Sequence, residues 1–275
     1  MASPNPYHIR SITMPSRSNP ILSLVKEQVC PLSCSQPTNL SALESLYDNL
    51  DSLLSLLLTE DVLCRQSEGV NELLEDYLRL VDSCDKMRDV VARVRVEQRG
   101  VLFMLRRRDR SGLEARIGTY TRSRKQMTKE LTKCLENLRH VGRTPVIAHN
   151  HSSAQDHEVM DVLKQARSIT VSLFRSLMSK FVERRKKWCL ISGFFKSRVW
   201  SVETDDMETS EWEKVAMALQ QLQAASSKLE ENHVHDVIRL LDSSDEQMGS
   251  IEEILGCFCS RLIRTRVTVL NVLTN

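Results

Sequence analysis

IEEILGCFCSRLIRTRVTVLNVLTN, residues Ile251 to Asn275, sets apolar side chains at helical spacing with arginines between them. Ile251, Ile254, Leu255, Phe258, Leu262, Val269 and Val272 share one face of a helix, while Arg261, Arg264 and Arg266 lie off it. Such a helix is marginal alone in water and gains stability by laying its apolar face on other helices. The expectation is an all-α fold, an elongated bundle of five to six long helices with coiled-coil-like packing.

Composition agrees with that reading. The 275 residues include only 8 Gly and 7 Pro, too few breakers for many tight hairpins or a glycine-built phosphate loop. A formal charge of +2 does not by itself imply a polyanionic partner. The 8 Cys are scattered through a chain large enough to bury a core without staples, and they read as reduced, mostly buried thiols. No uninterrupted apolar run reaches the ~18 residues of a membrane span, since the nearest, Leu40 to Leu63, carries Glu44, Asp48 and Asp51.

Residues 1–38 read as a disordered, basic, Ser- and Pro-rich arm and linker. Arg10, Arg17 and Lys26 with no acid before Glu27 have the composition of an organelle transit peptide, but Pro4, Pro6, Pro15 and Pro20 interrupt an amphipathic helix and favour the plain arm. Residues 39–275 form the expected bundle domain, with loops at 143–156 and 201–210. Ser41 and Glu44 are spaced as a capping box for a first helix that ends near Gly69. A second runs from Val70 to the cluster Arg106, Arg107, Arg108, a third from Leu113 to about His140, and a fourth from about His157 to Glu183. A helix from Trp212 to about Leu241 follows, and Ser243 with Glu246 offers a cap for the terminal helix.

Chemistry has few candidates. His149, His151 and His157 with Asp156 have ligand atoms suited to zinc, yet a polar loop explains them as well and no Cys-x-x-Cys pair completes a cage. His233 and His235, two apart on a helix, point to different sides. No nucleophile elbow or glycine-rich loop is present, so no catalytic residue, cofactor site or metal site is assigned and a non-enzyme is expected.

Basic and aromatic stretches are more suggestive. Arg106, Arg107 and Arg108, with Arg124, Lys125 and Lys129 of the third helix, form a basic surface able to neutralise phosphates, or merely a solvated face. Nucleic acid is the weaker partner, because aromatics make up 5% of the chain and do not interleave with the basic helix. In residues 184–200, Lys186, Lys187, Trp188, Phe194, Phe195, Lys196, Arg198 and Trp200 combine rings and cations as an interfacial helix does on anionic lipid, or else form a short helix that closes the bundle. Ser11, Thr13, Ser16 and Ser18, near Arg10 and Arg17, are candidate phosphorylation sites.

Several segments in order resemble the plant BYPASS-related family. They are Tyr7 to Pro20, Leu46 to Glu60, Glu72 to Asp89, the basic helix Tyr120 to Leu138, and Arg261 to Leu273. The chain departs from that pattern at Asn19, Leu57 and Gly69, where His, Pro and Trp are expected. The resemblance implies an all-helical protein connected with root and shoot development, and it transfers no catalytic residue. The functional expectation is a non-enzymatic scaffold or adaptor with an unidentified protein partner or a second copy of itself. Peripheral binding to an anionic membrane is the alternative, and nucleic-acid binding comes third. The expected location is cytoplasmic, with peripheral membrane association next and an organelle transit peptide less favoured.

Overall fold

The computed structural model describes residues 19–34, 40–65, 67–109, 111–142, 154–182, 211–224 and 231–274, and all the regular structure among them is α-helical. The helices are α1 (Pro20–Cys34), α2 (Leu40–Leu54), α3 (Leu57–Arg65), α4 (Ser67–Arg106), α5 (Leu113–Leu138), α6 (Ala154–Val182), α7 (Glu211–Ala224) and α8 (Glu231–Thr274). At about 1.5 Å per residue, the 40 residues of α4 and the 44 of α8 give rods of roughly 60 Å or more, and these two form the spine.

Register follows from bonds between helices. Cys84 Sγ donates to the Leu255 carbonyl, Gln98 Nε2 to that of Leu241 and Arg266 Nε to that of Leu74, so α4 and α8 run antiparallel along their length. Gln98 meets Tyr120, and Arg93 meets Glu130, which sets α5 antiparallel to α4 on its other flank. Asp76 pairs with Arg167, while a Cβ at Gly69 would touch the Met160 methyl, so α6 runs parallel to α4 along its first half. Tyr47, Tyr77, Tyr120, Phe174 and Phe258 are fully buried, with Tyr47 edge-on to Phe258 at 6.2 Å between centroids. Each large apolar side chain taken from water contributes about 1.5–3 kcal/mol, which is what the stripes supply.

Several boundaries differ from those expected. Residues 20–34 are not arm or linker but α1, with Leu22, Val25, Val29 and Leu32 buried on one face. Pro20 occupies the first helical position, where its missing N–H costs nothing, and Asn19 Oδ1 accepts the Ile21 N–H at 3.0 Å as a cap. Pro31 lies inside this helix. The expected first helix is broken at Ser55 and Leu56, where Ser52 and Ser55 hydroxyls bond back to the Asp48 and Asp51 carbonyls and compete with the ladder. Gly69 falls in the first turn of α4 instead of at a break. Ser243 caps nothing: it sits within α8 and donates to Glu211 of α7, so the terminal helix is much longer than its last segment suggested. The loop expected over 143–156 gives way to α6 at Ala154.

Candidate functional site

The polar groups inside the bundle are cross-links between helices. Asp76, 1% exposed, accepts from Arg167 Nη1 at 2.6 Å and from the Gly142 N–H at 2.9 Å, joining α4, α6 and the turn after α5. Gln98, also buried, donates to the Leu241 carbonyl at 2.8 Å and accepts from the Tyr120 hydroxyl at 3.0 Å and Ser244 at 3.3 Å, so one amide ties three helices. Tyr47 and Thr170 share a hydrogen bond of 2.7 Å, whereas the buried Tyr77 hydroxyl has no partner. Burial pushes the phenols of Tyr47 and Tyr77 well up from their ordinary range and that of Tyr120 to about 12. It likewise raises the thiols of Cys84, Cys134 and Cys259, which makes them poor nucleophiles.

The residues expected to form a basic surface separate into two environments. Arg106 is exposed and paired with Asp242 at 2.6 Å. Arg107 lies over the Phe103 ring at 5.1 Å, and Arg108 adopts φ +55° in the turn that ends α4. Lys125 and Lys129 are exposed on α5. Arg124 does not belong with them. Its guanidinium stacks on Trp212 of α7 at 4.1 Å and lies 5.7 Å from the Tyr120 ring, its Nη2 donates to the Trp212 carbonyl at 2.8 Å, and its buried Nη1 has no partner. Burial lowers its pKa, and the neighbouring Tyr120 and Glu213 act the other way. Trp212 in turn meets Phe181, near the end of α6, edge-on at 5.1 Å. Phe181 and Trp212, each one residue inside the facing ends of α6 and α7, therefore touch, and Arg124 stacks on Trp212.

The surface that sequence reasoning missed is the outer face of α4. Val96 is 67% and Phe103 57% exposed, the two most exposed large apolar side chains described. They lie seven positions apart on one face, with Gly100 between. Residues 93–108 hold six arginines and one glutamate, and several of those arginines reach sideways to acids: Arg95 and Arg99 to Asp245, Arg95 also to Glu252, Arg93 to Glu130. Asp82 and Asp89 are exposed earlier on the same helix. The pattern was available in the sequence as positions 82, 89, 96 and 103, one heptad apart, but the apolar stripe directed attention to the opposite face.

Other expected sites fall elsewhere. Lys186, Lys187, Trp188, Phe194, Phe195, Lys196, Arg198 and Trp200 lie outside the described residues, as do His149, His151, Ser11, Thr13, Ser16 and Ser18. His157 is exposed on α6, and among the described residues no group of three or more His, Cys, Asp or Glu is arranged to hold a metal ion. No described helix is long and apolar enough to cross a membrane. A family model described as Protein BPS1 matches residues 39–272. No curated protein matches the chain, and no solved structure does.

Proposed function

The chain belongs to the BYPASS-related family described as Protein BPS1, and from that premise we propose that it is a non-enzymatic helical scaffold acting in plant development. The supporting observation is the outer face of α4, where Val96 and Phe103 stand in water on a rigid helix while the polar groups inside the bundle are spent on joining helices. Exposed apolar residues at helical spacing on a rigid helix are what a partner helix uses for recognition. Tagged full-length chain purified from plant tissue should carry a reproducible set of proteins, and Val96→Ser/Phe103→Ser should lose part of it with unchanged circular dichroism. Absence of any reproducible partner, or turnover of a metabolite by the purified chain, overturns the reading.

A second reading is peripheral attachment to anionic membrane through residues 184–200. The Phe181–Trp212 contact favours it, because it brings the end of α6 and the start of α7 together on either side of those residues. Co-sedimentation with vesicles should require anionic lipid, weaken with salt and fall when Phe194 and Phe195 are changed to Ser. Equal binding to neutral vesicles, or no loss in the double variant, rejects it.

A further inference from the structure

We infer that the outer face of α4 is a self-complementary docking surface for a second copy of this chain, the two α4 helices lying antiparallel about a point between Ala92 and Val96. Positions 82, 85, 89, 92, 96, 99, 103 and 106 alternate in steps of three and four and form one stripe opposite the buried side of α4. Charge is divided along it: aspartates at 82, 85 and 89, then arginines at 99 and 106. Turned end for end, the stripe sets Asp82 against Arg106 of the second copy, Asp89 against its Arg99, Ala92 against its Val96 and Asp85 against its Phe103, over whose ring Arg107 lies at 5.1 Å, since each pair sums to the same number. The small Ala92 leaves room for the facing Val96 side chain, which is the apolar anchor at the centre, and the exposed Phe103 ring packs beside it towards the end of the seam. Arg99 and Arg106 hold Asp245 and Asp242 within the chain, but a guanidinium has five N–H donors and keeps some for a partner. A two-fold axis uses one patch twice, so Asp82, Asp89, Arg99 and Arg106 all meet opposite charges on a second copy. An unrelated helix would have to carry the same acidic and basic halves in register.

The seam has few apolar residues, so the pair is weak and depends on concentration and salt. The inference rests on the scaffold reading but fails separately from it. Sedimentation equilibrium of the purified full chain should show reversible self-association that weakens at ~1 M salt, where screening acts within about 3 Å. Asp82→Lys/Asp89→Lys should raise the dissociation constant by about tenfold or more, as should Val96→Ser/Phe103→Ser. Arg99→Glu/Arg106→Glu should do the same, and mixing it with the Lys variant should restore a mixed dimer. If the glutamate variant does not fold, the other two decide. A chain monomeric at every concentration, or association that the Lys and Ser variants leave unchanged, overturns the inference. A monomeric chain that still retains its set of partners from tissue overturns self-docking alone and leaves the scaffold standing.

Discussion

Asp76 and Arg167 form an ion pair of 2.6 Å between α4 and α6, with side chains only 2% and 12% exposed. Removing one member of a buried pair costs more than the pair is worth, and without Arg167 the buried Asp76 keeps as a cation only the exposed Arg79 at 3.4 Å. Arg167→Met should therefore lower stability by about 3–5 kcal/mol. Asp76→Asn added to that variant should recover much of the loss, since an amide oxygen still accepts the Gly142 N–H without carrying charge. Urea unfolding of the three variants against the native chain checks this, and a double variant no more stable than Arg167→Met refutes it.

Gly142 belongs to the same device. Its φ of +76° is a left-handed conformation, and a Cβ there would come within 2.8 Å of Arg167 Nη2. The backbone part of Gly142→Ala costs about 1–2 kcal/mol, and displacement of the guanidinium from Asp76 adds to it. The expected total is about 2–4 kcal/mol. Combined with Arg167→Met the effects should be less than additive, because both break one contact. Strict additivity in denaturation midpoints would show that the turn and the ion pair are independent.

Glu130 predicts an acid response. Partial burial works to raise its pKa, but hydrogen bonds from Lys86, Gln126 and Arg93 and the Arg93 charge hold it at about 2, below the ordinary 4.5. The folded value is the depressed one, so its stabilisation is present above about 4.5 and disappears as pH falls through about 2. Asp245, held low against its own burial by Arg99 and Arg95, adds in the same direction. Asp51, raised by burial, opposes them. The stability gap between native chain and Glu130→Gln should be widest near neutral pH and close on acidification. A gap independent of pH would mean that Glu130 is not held by these cations.

Legibility of this fold in its sequence followed the period of the apolar residues. The spine was readable because Leu73, Tyr77, Leu80, Cys84, Met87, Val91 and Val94 repeat at three and four, and all of them are buried. What failed were the boundaries, for local reasons. Pro20 reads as a breaker although it opens α1, and Ser243 with Glu246 has the spacing of a cap although α8 runs straight through it. The interior polar ties were invisible, since Gln98 and Leu241 are 143 positions apart. Arg124 shows the limit for surfaces. Its neighbours Lys125 and Lys129 are exposed as expected, but helix docking turned this one cation inward against a tryptophan that lies 88 positions away.

That stack leads to a prediction about α7. Arg124 couples α5 to Trp212 through its ring contact and the 2.8 Å bond to the Trp212 carbonyl, and Trp212 couples in turn to Phe181 of α6. A desolvated cation–π contact is worth about 2 kcal/mol, and Arg124→Ala loses it together with the bond and the packing of the side chain. It should destabilise the chain by about 2–3 kcal/mol and loosen α7 at its start first, where Trp212 sits, since the helix is otherwise packed on α8. Arg124→Met keeps most of the volume and no longer buries a charge with an unpartnered Nη1, so it should cost less than half as much. In a Trp188→Phe/Trp200→Phe background, Trp212 is the sole indole emitter, and Arg124→Ala should shift its emission to the red and speed amide exchange across Glu211–Ala224. Emission and exchange identical to the parent would mean that Trp212 is held by Phe181 alone and that Arg124 does not position α7.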